Sequence, residues 1–446
     1  MNFVKFWYYL FMKTLFELMH EKNCLPSGNI YKKVINGKTY FYYQYRENGK
    51  NFSRLIKKDQ INSLLDDIEK RKEIEKEIKR ILAFGNREIE LSNFAREYTG
   101  YLMCEDKVIG TFEKGVLISG DEKMLPLVFK RTTFLTEFLK SRSIDSGRTN
   151  SRILRKILNI NVKDDTLVSL CSYAASITDN YWFKPKHSKL TYKDIAFNND
   201  MFFETALKGL ITIYPKKIVL TPELTTNGSY EKGWKNEDGE WWLYKVGSNE
   251  EIYSELFYSI LFETIGLPTA HYELSSPFIK TKNFAKNVNF EPMVYIAGEN
   301  EDFIYIYNLL NNFNHQIALD YLRLIVFDVI LYNVDRHNEN CGILRNKKTG
   351  AIISLAPNYD NNLCLISRTK ELNLSRNERF LDLFIKTIRK NSTFKSILKE
   401  ISFPVIDEKI LDNVNDKINM NVNVDFKKIK EFILMRYKYI LEEINK

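Results

Sequence analysis

The segment between residues 334 and 362 constrains the fold of this chain more than any other part of the sequence. It contains VDRHNENCGIL and ends in SLAPNYDNN, so Asp335, Asn340 and Asp360 fall within one short polar stretch. The preceding residues 317 to 333, IALDYLRLIVFDVILYN, are apolar on nearly every side and too few to span a membrane comfortably. The pattern predicts a buried central helix that ends at a polar loop.

The spacing within this loop indicates a chemistry. Phosphoryl transfer needs a carboxylate that orients the attacking hydroxyl and oxygen ligands that hold Mg²⁺. An aspartate followed five residues later by an asparagine, as Asp335 is by Asn340, has the spacing of a kinase catalytic loop. Asp360 comes after an intervening strand, where such enzymes hold the metal. We therefore predict Asp335 and Asn340 as catalytic residues, and Asn340 and Asp360 as ligands of Mg²⁺.

The neighbours of these residues have less certain roles. Arg336 and His337 also lie past the end of the apolar helix, where they can reach solvent and substrate. His337 would either orient Asp335 or brace the loop backbone, and the bracing role is the commoner one for such a histidine. Asp328, inside the helix, would either hydrogen-bond the following loop or anchor it.

A lysine upstream fits the same chemistry. Lys245 lies inside the aromatic, strand-like run WWLYKVG, where a lysine in the middle needs a reason. In kinases a strand lysine reaches the ATP phosphates and pairs with a helix glutamate, and Glu255 lies in the helical segment that follows. The ordinary explanation is that Lys245 lies on an edge strand and that Glu255 is exposed. Together with the loop at 334–362, however, the pattern favours Lys245 as a catalytic, ATP-binding residue paired with Glu255.

The other predicted nucleotide contacts rest on weaker patterns. The loop TPELTTNGSYEK carries Gly228, Ser229 and Lys232, and a glycine lets backbone amides approach phosphates. Alone, such a loop is more often a simple turn. The run EPMVY places Met293 where a hinge would contact adenine, although nothing chemical in the sequence demonstrates this.

Composition allows two or three domains and leaves the partner open. The chain has 446 residues, 44% of them hydrophobic, and a net charge of +9, which suits nucleotide, nucleic acid or acidic protein. Its five cysteines are scattered without a CxxC pair, which favours a reducing, cytoplasmic setting over a zinc site or disulfide framework.

The first twenty residues are apolar but carry Lys5, Lys13 and Glu17. Because of these charges the segment does not match an ordinary transmembrane helix, and it has no clear signal-peptide cleavage site. Two interpretations stay open. The segment is an amphipathic helix, or it is translated sequence upstream of a true start at Met19 rather than Met1.

Two basic regions raise the question of nucleic acid. Residues 30 to 58 contain two Asn-Gly turns between β-prone runs, which predicts a three-stranded antiparallel sheet, and a helix follows from about Asp59 to Phe84 with Gly85 as its stop. Lysines, arginines and tyrosines alternate in this sheet, so it would suit a nucleic-acid groove, although a solvated face on an adaptor module is the commoner explanation. The arginines of a second region, Arg142 and Arg148 among them, are likewise expected on a solvent face.

Several of these strings carry a family resemblance. DRHNEN resembles the DRHxxN loop shared by HipA-type Ser/Thr kinases and phosphatidylinositol 3-/4-kinase-like enzymes, SLAPNYDN resembles the LAPxxD segment, and TTNGSYEK resembles the phosphate loop of the HipA-type kinases. The resemblance covers about residues 90 to 370. One departure is Asn362, where many relatives have glycine.

The resemblance implies a fold and its division into parts. The expected class is α+β, a two-lobed protein-kinase-like fold with a largely helical C-lobe, preceded by a small β-sheet-plus-helix module. The expected domains are the basic N-terminal module, a HipA-type N-terminal subdomain, a nucleotide-binding N-lobe and a catalytic C-lobe, with bounds 1–87, 88–215, 216–300 and 301–446.

The resemblance also implies an activity. The expected function is that of an ATP- and Mg²⁺-dependent Ser/Thr protein kinase that transfers the γ-phosphoryl group to a protein hydroxyl, with Thr225 as a regulatory autophosphorylation site. The resemblance implies a helix-turn-helix antitoxin as a partner, and toxin behaviour is implied by the resemblance alone. The alternatives are a nucleotide-binding pseudokinase, a nucleic-acid-binding adaptor and a phosphoinositide-type lipid kinase.

Overall fold

A computed structural model describes residues 18, 21–22, 24–47, 50–84, 98–145, 147–158, 165–211, 220–367 and 379–446. Over these residues the chain is a mixed α+β protein that includes four small antiparallel sheets. The sequence predictions for the turn at Asn48 and Gly49, for Gly85 and for a start at Met1 or Met19 lie outside the described residues.

The N-terminal module is a three-stranded sheet backed by a long helix, as predicted. The sheet has the order β1-β2-β3, with strands β1 (Asn29–Ile35), β2 (Lys38–Glu47) and β3 (Lys50–Ile56). Asn36 and Gly37 join the first two strands with φ of 50° and 74°, the positive values that a two-residue hairpin turn prefers. A 3₁₀ turn (Lys58–Gln60) then leads into helix α1 (Ile61–Phe84).

A second sheet belongs to the following part of the chain. Its order is β6-β5-β4-β7, with strands β4 (Gly100–Cys104), β5 (Lys107–Glu113), β6 (Val116–Gly120) and β7 (Tyr181–Pro185). The helices of this part are a 3₁₀ turn (Leu127–Lys130), α2 (Leu135–Lys140), α3 (Thr149–Ile157), α4 (Asp165–Leu170), α5 (Tyr192–Ile195) and α6 (Phe203–Lys208).

The third sheet places the predicted nucleotide residues on neighbouring strands. Its order is β10-β11-β9-β8, with strands β8 (Lys232–Glu237), β9 (Glu240–Lys245), β10 (Tyr272–Ser275) and β11 (Phe278–Lys282). A 3₁₀ turn (Pro222–Thr225) precedes the sheet, and helix α7 (Asn249–Thr264) follows β9. Ser248 and Glu251 form a capping box that fixes where α7 begins.

The last part of the chain is largely helical around a fourth sheet. That sheet has the order β12-β13-β14, with strands β12 (Asn289–Pro292), β13 (Gly342–Arg345) and β14 (Ile352–Leu355). Its helices are α8 (Val294–Ala297), α9 (Phe303–Asn311), α10 (His315–Ile330), α11 (Arg379–Lys390), α12 (Ser392–Lys399), α13 (Glu408–Asp416) and α14 (Phe426–Asn445).

Helix α10 is the buried central helix that the sequence predicts. Its side chains from Ile317 to Ile330 are mostly buried, including several fully buried ones that do not share one face. Phe327 packs edge-on against Phe262 of α7, with ring centroids 5.0 Å apart. The helix ends at Ile330, so the polar loop that follows starts from a fixed point in the core. No helix of the described residues is both long and apolar enough to cross a membrane.

The prediction of a solvent face for the second basic region is wrong at two positions. Arg142 and Arg148 are 4% and 1% exposed. Arg142 is buried because it forms an ion pair with Asp179, and Arg148 because it donates to the carbonyl oxygens of Glu223 and Thr226 at 3.3 Å each. Both arginines therefore lie in the interior, and Arg142 lines the cleft described next.

Candidate active site

A single cleft of about 410 Å³ gathers most of the residues that the sequence singled out. It is lined by β8, β9, the loop before β8, the loop after α10 and the segment after β14, with further residues from the second sheet's part of the chain. The predicted site residues that line it are Thr225, Gly228, Ser229, Lys232, Lys245, Glu255, Asp335, Asn340 and Asp360. Residues far apart in sequence thus meet at one place.

Lys245 lies between two carboxylates at the base of this cleft. Its Nζ is 2.9 Å from Asp360 Oδ1 and 3.6 Å from Glu255 Oε1. Burial by itself would lower the pKa of Lys245, but the charges of Asp360 and Glu255 outweigh burial and raise it, so the lysine stays charged. The strand lysine therefore meets the helix glutamate, as the spacing of a kinase requires.

Asp360 is the charged member of the carboxylate pair. Burial acts to raise its pKa, yet Lys245 and Lys232 together hold that pKa well below the usual range for an aspartate. Burial raises the pKa of Glu255, which lies deeper in the protein at 1% exposure. Asp360 thus remains ionised at neutral pH, with a quarter of its side chain exposed.

Glu255 also fixes the backbone beside Asp360. Its Oε1 accepts a hydrogen bond from Asn361 N at 3.1 Å, and its carboxyl is hydrogen-bonded by Tyr272. The Tyr272 hydroxyl in turn accepts from Asp360 N at 3.1 Å. Asp360 has a φ of 58°, a left-handed conformation that aspartate tolerates better than most residues. These contacts hold the Asp360 side chain in place.

Lys232 is a buried cation whose charge is only partly offset, by the charge of Asp360 beyond ion-pair distance. The register of the third sheet places it directly opposite Lys245, and like charges in such a pair repel. It is 7% exposed and forms no hydrogen bond or ion pair with another described residue. Burial lowers the pKa of Lys232 to about 8, and the neighbouring Lys245 adds to that effect while Asp360 opposes it. An anion in the cleft would relieve this strain.

The loop before β8 covers Lys232. Gly228 has a φ of 103°, a backbone conformation that favours glycine, and it lies close to Lys232 Nζ. Asn227 Nδ2 donates to Glu339 Oε2 at 3.0 Å. This hydrogen bond connects the loop to the opposite side of the cleft, beside Asn340.

Arg336 organises the loop after α10. Its guanidinium donates to both carboxylate oxygens of Asp328, at 2.8 and 3.0 Å, and to the carbonyl oxygens of Asn340 and Tyr359, at 2.6 and 2.9 Å. It also donates to the side-chain oxygens of Asn358 and Asn361 at 2.8 and 2.6 Å. One buried side chain therefore ties helix α10 to both segments that carry the predicted catalytic residues.

The orientation of Asn340 is set by its neighbour. Asn340 Nδ2 donates to the carbonyl oxygen of Asp335 at 3.0 Å, which leaves its amide oxygen as the atom available to a cation. His337 Nδ1 accepts from Glu339 N at 3.2 Å, as a loop-bracing residue would. An amide oxygen and an ionised carboxylate are the kinds of ligand that Mg²⁺ takes from a protein, so Asn340 and Asp360 fit such an ion.

Comparison with solved structures identifies the fold. The chain is similar to HipA in a complex of the Shewanella oneidensis MR-1 toxin–antitoxin system with HipB and operator DNA, with a TM-score of 0.50 and 12% identity over 78% of this chain and 98% of that one. The fold is HipA-like. The two-lobed, kinase-like α+β class predicted from the sequence is thereby confirmed.

A second solved structure is matched over a shorter part of the chain. It is the Helicobacter pylori proinflammatory kinase CtkA, with a TM-score of 0.41 and 16% identity over 48% of this chain and 92% of that one. No protein-family model matches the sequence, and no curated protein matches it either. At 12% identity, the similarity to HipA shows the fold alone.

Met293 is the predicted site residue that the structure does not bring into the cleft. Its side chain is fully buried in the main hydrophobic core, and it is absent from the cleft lining. Its backbone N–H is also taken, since it donates to Cys341 O at 2.8 Å. The side-chain contact with adenine expected of Met293 is therefore wrong, because the chain turns into α8 at this point and directs Met293 inward. Pro292 and Tyr295 line the cleft instead.

Two further parts of the site were missed or misjudged from the sequence. Arg336 was expected to reach solvent, but its side chain is 3% exposed and paired with Asp328. The ion pair of Arg142 with Asp179 forms part of the cleft lining although both residues precede the third sheet. The sequence signal for the burial of Arg336 was Asp328, because a charged residue inside an apolar helix needs a cationic partner nearby.

Proposed function

We propose that this chain is an ATP-dependent Ser/Thr protein kinase of HipA-like type. The observation that carries the proposal is the pair of cross-strand lysines, Lys232 and Lys245, which face the ionised Asp360 beside the loop of Asp335 and Asn340. A protein gains nothing from burying a lysine whose charge is only partly offset unless a ligand neutralises it. The phosphates of ATP are an anion that suits two adjacent cations of this kind.

In this proposal the loop from Thr225 to Lys232 binds the phosphates. Gly228, Ser229 and Lys232 would contact them from the side of the loop, and Lys245, held by Glu255, would contact them from the strand. The loop's hydrogen bond from Asn227 to Glu339 keeps it against the catalytic side of the cleft. The residues of this chain thereby orient the nucleotide before any acceptor arrives.

Asp335, Asn340 and Asp360 would each have one role in the transfer step. The hydroxyl oxygen of the acceptor attacks the γ-phosphorus, while its proton passes to the Asp335 carboxylate. The bond between the γ-phosphorus and the β–γ bridging oxygen breaks, and ADP leaves with that oxygen. Mg²⁺ held by Asn340, Asp360 and phosphate oxygens would neutralise the charge that develops on the phosphates. No cluster of three or more His, Cys, Asp or Glu side chains among the described residues forms a metal site by itself.

The test is phosphoryl transfer itself. Purified full-length protein is incubated with γ-labelled ATP and Mg²⁺, and incorporated phosphate is located by mass spectrometry. We expect label on serine or threonine of this chain or of an added protein, and its loss in Asp335→Asn. Nucleotide binding should survive in that variant, because Asp335 does not hold the phosphates.

The same experiment separates the alternatives. ATP that binds without any transfer, in wild-type protein as in Asp335→Asn, would indicate a nucleotide-binding pseudokinase. Label that appears on phosphoinositide vesicles and not on protein would indicate a lipid kinase. Label on both wild-type and Asp335→Asn protein would show that the catalytic assignment is wrong.

Thr225 is the proposed autophosphorylation site. It is 6% exposed, and its hydroxyl donates to Pro222 O at 3.2 Å, so phosphorylation would require the loop to leave its position in the cleft. A phosphorylated loop that cannot return would remove Lys232 from the nucleotide and reduce activity. Thr225→Ala protein that still gains label in the loop peptide would contradict this assignment, with Thr226→Ala as the matched control.

A partner protein follows from the comparison alone. The HipA of Shewanella oneidensis is seen with HipB and operator DNA, and we propose a small helix-turn-helix protein as the partner of this chain. Co-expression with such a protein encoded nearby, followed by size-exclusion chromatography, tests this: a stable complex is expected, and two separate peaks would contradict it.

A further inference from the structure

The sheet of the N-terminal module has one face that packs on its helix and one that does not. Tyr43 and Ile56 are buried against Ile68 of α1, together with the partly buried Ile30 and Tyr45. The pairing register places the intervening residues on the opposite side. We call this side the open face; it carries Tyr31, Lys33, Ile35, Lys38, Tyr40, Tyr42, Gln44, Ser53 and Leu55.

The open face is exposed and contains aromatic and apolar side chains. None of its members is buried, and Tyr31, Ile35 and Leu55 are 39%, 40% and 60% exposed. The rings of Tyr31 and Tyr42 stack with centroids 5.5 Å apart, and the Tyr31 hydroxyl is 2.9 Å from Ser53 Oγ across the sheet. These contacts connect the side chains of all three strands on this face.

The charge on the open face has a single sign. Lys33 and Lys38 project from it and form no ion pair with another described residue. The sequence has no aspartate or glutamate from residue 29 to 46 or from 50 to 58. Exposed lysines elsewhere in the module do find carboxylates, as Lys70 finds Glu21 at 2.7 Å. An unneutralised positive surface of this kind complements a polyanion.

The dimensions of the sheet favour one polyanion. Three strands about 4.8 Å apart span about 10 Å, and the major groove of B-form DNA is about 12 Å wide. The major groove of an RNA duplex is deep and narrow and does not admit such a sheet. Single strands are bound largely by base stacking on ring faces, and in the stacked pair of Tyr31 and Tyr42 each ring already has one face covered. We propose that the open face binds duplex DNA in its major groove, with Lys33 and Lys38 contacting phosphates.

This proposal is independent of the kinase assignment, since none of its residues lines the cleft. The test measures binding of full-length protein to a short fluorescent DNA duplex by anisotropy over a series of salt concentrations. Lys33→Gln/Lys38→Gln is compared with wild type. Losing two phosphate contacts should weaken binding by roughly fiftyfold at about 0.1 M salt and make the salt slope shallower by about two.

The matched control removes the same charge from other faces of the module. Lys32 neighbours Lys33 in sequence but points to the opposite side of the sheet, and Lys72 is an exposed lysine of α1. Lys32→Gln/Lys72→Gln should bind duplex DNA within a factor of about three of wild type. Thermal unfolding of both double variants confirms that they remain folded.

Several results would overturn the proposal. Equal weakening by the two double variants would mean that net charge, and not the open face, attracts DNA. Tighter binding to the single strand or to an RNA duplex of the same sequence would exclude the major groove of DNA. Wild-type protein that does not bind the DNA duplex at low salt would exclude the interaction altogether.

Discussion

The cleft and the open face each place two lysines on the strands of a small antiparallel sheet, and they treat those lysines in opposite ways. Lys232 and Lys245 are directly opposite one another and each about 7% exposed. Lys33 and Lys38 project into solvent. In both regions the positive charge is not fully neutralised by the protein, but only in the cleft does this carry a substantial energetic cost.

The difference shows where a positive charge is informative. A solvated lysine costs almost nothing, so its presence alone says little about a ligand. A buried lysine must be paired or must lose its proton, and the pKa of Lys232, lowered to about 8 by burial, records that cost. The buried Lys232 therefore indicates a ligand more strongly than the exposed Lys33 and Lys38 do.

The largest effect that distinguishes the cleft from the surface should come from Asp360. Asp360→Asn removes the ionised ligand held by Lys245, and we expect phosphoryl transfer to fall by about a thousandfold or more, because charge on the phosphates is no longer neutralised. Initial rates with labelled ATP measure this. The control is Asp121→Asn, an exposed carboxylate 2.9 Å from Lys107, which should leave the rate unchanged. A rate within tenfold of wild type for Asp360→Asn would contradict the metal assignment.

A smaller effect should appear when pH changes the charge of Lys232. Its pKa of about 8 means that it is positive below that pH and loses its charge as the pH rises above it. Affinity for MgATP should then fall by about tenfold for each pH unit above 8, until the pKa of the bound state is reached. Calorimetric titration at a series of pH values checks this. Lys232→Arg keeps its charge throughout, so its affinity should stay flat, and a parallel decline in both proteins would exclude Lys232 as the cause.

The smallest predicted effect concerns stability, at Glu223 in the 3₁₀ turn Pro222–Thr225. Burial raises the pKa of Glu223 to about 8, from 4.5 in the unfolded chain. Between these values the unfolded state releases a proton that the folded state retains, so stability falls as the pH rises from about 5 to 8. Glu223→Gln should flatten this decline by a few degrees in Tm, and the exposed Glu113→Gln should not. An unchanged decline in Glu223→Gln would show that Glu223 is ionised in the fold.

Much of the fold could be predicted because its signals are local. The turn at Asn36 and Gly37 and the all-round apolar run of α10 each depend on neighbours in sequence. The segment Phe303–Asn311 has a β-prone sequence, FIYIYNLLN, and is nevertheless helix α9. Its β-prone tyrosines and isoleucines are overruled by the Asp302 cap and by packing on α10.

The site could be predicted only where a motif fixed the spacing. Asp335, Asn340 and Asp360 share one motif-bearing segment, and Lys245 with Glu255 follows a strand-to-helix pattern, so all five could be named from the sequence. Arg336 could not be placed, because its six hydrogen bonds reach three separate segments. The adenine contact predicted for Met293 was wrong for a related reason, because the direction of a side chain at a turn depends on the packing around it.

The central claim is that the buried Lys232 is kept for an anionic ligand, and one pair of measurements on Lys232→Met tests it most directly. We expect MgATP affinity, measured by calorimetry, to fall by roughly tenfold to a hundredfold, while the Tm rises because a buried charge that is only partly offset has been replaced by an apolar side chain. Lys33→Met, the same change on the open face, should alter neither quantity by much. A Lys232→Met protein that binds MgATP as tightly as wild type would contradict the account.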